Sequence, residues 1–303
     1  MNSVAAPPFQ VLLYYRYVRI PNAADYTEQH RGLCESLGLR GRILIGEEGI
    51  NGTVSGETAA TISYMAALHA DPLTADIVFK IDPAMGHVFP KLSVKLRPEI
   101  VTLGLPGVAD IDPNELSGER LSPREFLEAM QDPDSVLIDG RNLYEAELGR
   151  FKGALCPPIN HFRDFPAWLS EHAESLRGKK LLTYCTGGIR CEKLSGYLRK
   201  EGFENVCQLD GGIVTYGKDP EVRGRDFEGL CYVFDERIGV EVNHTETRCI
   251  ISHCRHCGID HPHYANCRLP ECNEQIFVCP PCRELRGLYC DTTCRQKHEG
   301  SIA

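Results

Sequence analysis

Residues 180–200 read KLLTYCTGGIRCEKLSGYLRK. A short apolar run stops at Cys185, two glycines follow, and from Arg190 an amphipathic pattern continues to Gly202. The run is too short for a helix and is bounded by glycines, so it reads as a buried strand, and the segment after it reads as a helix. Short apolar runs alternating with helices build a parallel sheet covered on both faces. The same alternation recurs on either side, with a helix over 122–130 capped by Ser122 and opened by Pro123, and a strand over 135–141. A helix over 166–177 and a third strand over 205–212 complete it. Ligands of such sheets sit at the carboxyl ends of the strands, where Cys185 lies.

The loop after Cys185 has a chemistry of its own. Thr186, Gly187, Gly188 and Ile189 allow successive backbone N–H groups to turn inward as an anion nest. The start of the helix adds a positive partial charge and Arg190 a full one. All three favour the thiolate, so Cys185 is expected to be a low-pKa nucleophile. Cys191 follows six residues later, well over one helical turn away, so the two thiols need not meet without loop movement. A redox or resolving role is one reading of Cys191 and a packed helix cysteine the other.

"CTGGIR" resembles the active-site loop of rhodanese domains, whose cysteine carries a persulfide. Related phosphatases space the arginine one residue further on, which leaves room for phosphate; here Arg190 closes a shorter loop. "IDGRNLYEAELGRFKGAL" (138–155) is similar to the rhodanese signature, with Asp139, Arg141, Glu145, Gly149 and Gly153 in matching places. Tyr144 precedes Glu145 instead of following it, and Arg150 replaces a histidine.

"EEGINGTVSG" (47–56), "FPKLSVKLRPEIVTLG" (89–104), "YCTGGIRCEK" (184–193) and "LDGGIVTYGKD" (209–219) occur in the same order as in the rhodanese-related tRNA uridine(34) hydroxylases. The resemblance spans about 10–245. It implies O2-dependent hydroxylation of the wobble uridine of tRNA to 5-hydroxyuridine, with Cys185 as nucleophile and Cys191 as a matching second cysteine. The loop alone is equally compatible with a sulfurtransferase that passes sulfur through a Cys185 persulfide. No flavin or nicotinamide motif is present. The anticodon loop would enter with its base splayed out. Arg141, Arg150, Lys152, His161, Arg163 and Arg190 are candidates for its phosphates, and Tyr144 and Phe162 for stacking.

Three domains are expected. Residues 1–110 read β-α-β-β-α-β, a ferredoxin/acylphosphatase-like domain, with strands at 9–18, 41–46, 50–56 and 75–81, helices at 21–37 and 57–69, and an extended piece at 91–101. A Gly/Pro-rich linker (104–119) leads to the rhodanese domain at 111–225. Residues 226–303 have one strand-like stretch, 230–240, and then little apolar periodicity.

That tail holds most of the fifteen cysteines. Cys254 and Cys257, Cys267 and Cys272, Cys279 and Cys282, and Cys290 and Cys294 form four short-spaced pairs, enough for two closed zinc sites in a segment without a core. The pairs either interleave, first with third and second with fourth, or close sequentially. His253, His256, His261, His263 and His298 are possible substitutes, and an iron–sulfur cluster is a rival. The net charge of −9 argues against a generic nucleic-acid coat but does not exclude a local basic groove. No apolar run reaches membrane-spanning length, and the N-terminus lacks a secretory pattern, so a cytoplasmic location is expected.

Overall fold

A computed structural model describes residues 7–105 and 111–300; residues 106–110, within the expected linker, lie outside them. The first domain contains β1 (Phe9–Tyr17), α1 (Ala23–Ser36), β2 (Arg40–Gly46), β3 (Gly49–Glu57), α2 (Thr58–Ala70), β4 (Lys80–Ala84) and β5 (Leu92–Leu96). The sheet order is β4-β1-β3-β2-β5, the ferredoxin-like arrangement extended by β5, which pairs parallel to β2. Successive side chains of a strand point to opposite faces. Leu12, Tyr14, Ile43, Ile45 and Val54 therefore pack in one core with α1 and α2, leaving Leu13, Tyr15, Arg42, Leu44, Asn51 and Thr53 on the other face.

The fourth strand departs from the expectation of 75–81. Ile77 plugs the core from a turn, its N–H donating to the Thr74 carbonyl, and the strand forms only from Lys80. β4 lies at the sheet edge, where Pro83 costs no shared ladder bond.

The central domain contains β6 (Glu119–Leu121), α3 (Pro123–Met130), β7 (Ser135–Asp139), α4 (Leu143–Leu148), β8 (Gly149–Phe151), α5 (Phe165–Leu176), β9 (Lys180–Tyr184), α6 (Ile189–Lys200), β10 (Val206–Leu209) and α7 (Gly212–Lys218). β6-β10-β9-β7 is an all-parallel sheet. One face buries Phe165, Trp168, Leu194 and Leu198; the other buries Phe126, Phe151, Ile213 and Tyr216. Leu181 and Leu182 of β9 belong to opposite cores, as a doubly covered strand requires. The expected third strand, 205–212, is shorter than its apolar run: Gly211 and Gly212 both take φ of 69°, ending the strand and starting α7.

The tail begins by pairing with the central domain. β11 (Phe227–Gly229) runs antiparallel to β8. The expected strand over 230–240 is two short pieces, β12 (Cys231–Tyr232) and β13 (Gly239–Val240), joined by a turn carrying Phe234. Beyond lie β14 (Tyr264–Asn266), β15 (Gln275–Phe277), α8 (Pro280–Arg286) and α9 (Thr292–Gly300), clustered around the cysteine pairs. No helix of the described residues is long and apolar enough to cross a membrane.

Candidate active site and metal centres

Cys185 follows β9 directly and has no exposed surface. Gly188, at φ of 100°, turns its N–H onto Cys185 Sγ at 3.2 Å and caps α6. Gly212 packs beneath: a Cβ there would lie 2.6 Å from both the Cys185 carbonyl oxygen and the Gly188 nitrogen. Without a side chain at 212, the Ile213 and Val214 N–H groups reach the Cys185 and Thr186 carbonyls at 3.0 and 3.1 Å. The glycine pair in "LDGG" was a sequence signal for this cradle, since two glycines after a strand mark close backbone approach.

Burial alone pushes the Cys185 thiol up. A hydrogen bond from the Cys191 thiol, the Arg190 charge and the N–H groups of residues 191 and 190 outweigh it and hold the group at about 5. Cys191 is thus close enough in the closed loop to influence the Cys185 thiol. Cys191 is pushed well up by burial, then by its hydrogen bond to Cys185 and the Cys185 charge, so it remains the protonated donor.

Arg190 is buried and bidentate to Glu145, at 2.6 and 2.8 Å, with a third contact to Thr186 Oγ1 at 3.3 Å. Fixed in this way, its guanidinium stays beside Cys185 instead of in solvent. Arg141 is also inside the molecule: it pairs with Asp139 at 2.6 Å and donates to the Gly149 carbonyl, while Tyr184 donates to Asp139 at 2.8 Å. Being 1 % exposed, Arg141 is removed from the expected phosphate path. Lys152, His161 and Arg163 are exposed, and Arg150 is half-buried and donates to the Ala146 carbonyl. Tyr144 packs edge-on against Tyr232.

The outward sheet face of the first domain covers the loop. Between them is a cleft of about 290 Å³, with Cys185, Thr186 and Arg190 at its base and Tyr15, Phe89, Phe162 and Phe234 among its walls. Arg42, Asn51, Thr53 and Asn142 add polar groups. Of the residues expected to meet RNA, Phe162 and Arg190 line this cleft, whereas Tyr144, Arg150, Lys152, His161 and Arg163 do not. Within "EEGINGTVSG", Asn51 donates to the Ile100 carbonyl at 2.9 Å, a structural bond, and also forms cleft wall.

Two further residues hold the seam, the last two of "YCTGGIRCEK", to which the sequence alone assigns no role. Lys193 is fully buried and reaches Glu48 and Glu99 at 2.8 Å each, both from the first domain's side. Glu192 accepts from Tyr15 at 3.0 Å, from Arg120 at 2.9 Å and from Gln208 at 2.9 Å.

In the tail, Cys254, Cys257, Cys279 and Cys282 gather in one group and Cys267, Cys272, Cys290 and Cys294 in another, with the sulfurs of each group all within 4.8 Å of one another. The pairs interleave. Four sulfurs at bond lengths near 2.3 Å around a tetrahedral ion stand about 3.8 Å apart, so each group fits a metal ion. Neither group includes a histidine.

Three family models match successive parts of the chain: a UPF0176 acylphosphatase like domain over 9–100, a rhodanese-like domain over 122–219 and a rhodanase C-terminal region over 228–295. A Bacillus velezensis protein named tRNA uridine(34) hydroxylase is 54% identical over 288 residues, covering 95% of this chain and 88% of its own length. A protein of the same name from Bacillus licheniformis gives the same values. One from Bacillus cytotoxicus is 53% identical over 289 residues, with 95% and 88% coverage. With near-complete coverage at this identity, the chain belongs to the tRNA uridine(34) hydroxylase family.

Proposed function

We propose that this protein hydroxylates C5 of the wobble uridine of tRNA, with O2 as the oxygen source and Cys185 as the nucleophile. The observation that carries this reading is a stabilised thiolate at the base of an aromatic-walled cleft. A persulfide carrier needs space for one sulfur atom, whereas this cleft has room and ring surfaces for a base. Thiolate addition at C6 of uracil leaves an enolate, which makes C5 nucleophilic toward oxygen. The overall balance is uridine, O2 and two thiols giving 5-hydroxyuridine, water and a disulfide. Cys191, buried beside the same loop and held protonated, supplies the second thiol. An external thiol then reduces the pair, as a reducing cytosol allows.

The experiment is nucleoside mass spectrometry on tRNA from cells lacking the gene, complemented with wild type or Cys185→Ala. Wild type should restore 5-hydroxyuridine and Cys185→Ala should not. Unchanged 5-hydroxyuridine with loss of a thiolated nucleoside would assign the loop to sulfur transfer instead.

The two cysteine groups are proposed to hold zinc, which suits all-thiolate, closed, structural sites. Metal analysis should give two zinc ions per chain and one for Cys257→Ser. Chelation should render 254–294 sensitive to protease, because metal binding and folding are coupled in such modules. Iron with visible charge-transfer absorption would refute the assignment.

A further inference from the structure

Residues 91–97 read KLSVKLR. Val94 is buried in the core shared with α1, so Ser93 and Lys95 take the opposite face of the strand, and Lys91 and Arg97 flank its two ends. β5 pairs with β2 in the register Arg42↔Ser93 and Leu44↔Lys95, which places Arg42 on that same face. This is the face whose Arg42 and Leu44 line the Cys185 cleft. Arg42, Lys91, Lys95 and Arg97 are all exposed, and none has an ion pair or side-chain hydrogen bond among the described residues.

The four cations border a groove of about 930 Å³ that is continuous with the cleft, the two sharing Arg42, Leu44, Phe89 and Phe234. Two carboxylates also border it. Asp235 is tied to Arg237 at 2.7 Å, while Glu236 is exposed. In a chain of net charge −9, four unpaired cations against one unpaired carboxylate beside the cleft are not part of a general basic surface. Lysines on an edge strand do discourage edge-to-edge pairing. That role covers Lys91 and Lys95 but not Arg42, which sits on an interior strand, nor the continuity with the cleft.

We propose that this groove binds the phosphodiester backbone of the RNA strand adjoining the base held over Cys185, with Arg42, Lys91, Lys95 and Arg97 as phosphate contacts. The proposal rests on the reading of the cleft as a base-binding site. Alternate residues of a strand are about 6.6 Å apart, a repeat comparable with the phosphate step of an extended single strand. Phe234, 46 % exposed where cleft and groove meet, offers a ring for a neighbouring base. The phosphate track thus runs over the first domain, not along the carboxyl edge of the central sheet.

The test is binding of a full-length, unmodified tRNA transcript carrying U34, measured over a salt series for wild type, Lys91→Gln/Lys95→Gln/Arg97→Gln and Lys152→Gln/Arg163→Gln, with circular dichroism to verify folding. Each lost single-strand phosphate contact lowers the slope of log K against log salt by about 0.7. The triple variant should therefore lose about 2 in slope, and bind at least about 10-fold more weakly at low salt; the Lys152/Arg163 variant should match wild type. Unchanged affinity and slope in the folded triple variant would overturn the proposal. So would a loss confined to Lys152→Gln/Arg163→Gln. A wild type that binds tRNA without forming 5-hydroxyuridine would remove the activity reading while leaving the salt comparison to decide the groove.

Discussion

Cys185→Ser should lower 5-hydroxyuridine formation roughly 10³-fold or more, the scale on which loss of an attacking nucleophile is felt. Serine keeps the shape of the loop but not the anion. The nest, Arg190 and the Cys191 thiol stabilise a thiolate, and a hydroxyl is far too weak an acid to give its anion in the same surroundings. The pH dependence follows with a definite sign. Cys185 is held at about 5, so its thiolate persists above that value and is lost as pH falls through it. Alkylation of Cys185 by iodoacetamide, read by peptide mass spectrometry, should therefore show a midpoint near 5, whereas a free cysteine titrates near about 8.5. Cys191→Ala removes the sulfur donor and should move the midpoint upward. A wild-type midpoint near that of a free cysteine would show that the loop does not hold the anion.

Lys193→Ala should destabilise the protein by about 3–5 kcal/mol, the usual cost of breaking a buried charge group by removing one partner. Lys193 has no exposed side-chain surface, and Glu48 and Glu99 are largely covered. The same carboxylates also bind backbone: Glu48 accepts from Ile100 N–H at 2.6 Å, and Glu99 from the Leu103 and Gly104 N–H groups at 3.0 and 3.2 Å. One ammonium thus fixes the 99–104 segment, whose Ile100, Val101 and Thr102 form part of the cleft wall. Urea unfolding should show the loss, and alkylation of the otherwise covered Cys185 should accelerate as the seam loosens. Lys193→Met combined with Glu48→Gln and Glu99→Gln should recover part of the stability, because no buried charge is then left unpaired. An unchanged unfolding midpoint and alkylation rate in Lys193→Ala would assign the seam to apolar packing alone.

The sequence by itself determined the features that depend on neighbours along the chain. The glycines after Cys185, Arg190 at the start of a helix and the short apolar runs on either side were enough to place a cysteine with an anion-favouring loop at the end of a buried parallel strand. The β-α-β-β-α-β order and the four cysteine pairs were legible for the same reason, since turn chemistry, periodicity and ligand spacing act over a few residues. The fourth strand was misplaced because an apolar run does not say whether Ile77 enters the core from a strand or from a turn.

The tertiary structure alone decided how those pieces meet. Interleaving of the cysteine pairs depends on how the tail folds back on itself, and both pairings satisfy the same ligand count. Arg141 and Arg163 look alike in sequence, but one is spent on a buried carboxylate and the other reaches solvent. The cleft itself exists because Tyr15 meets Glu192 and Glu48 meets Lys193, residues 177 and 145 positions apart. Such contacts leave no local periodicity: each partner alone reads as an ordinary surface charge or a strand aromatic, and only the docking of one sheet face over the loop makes it part of a site.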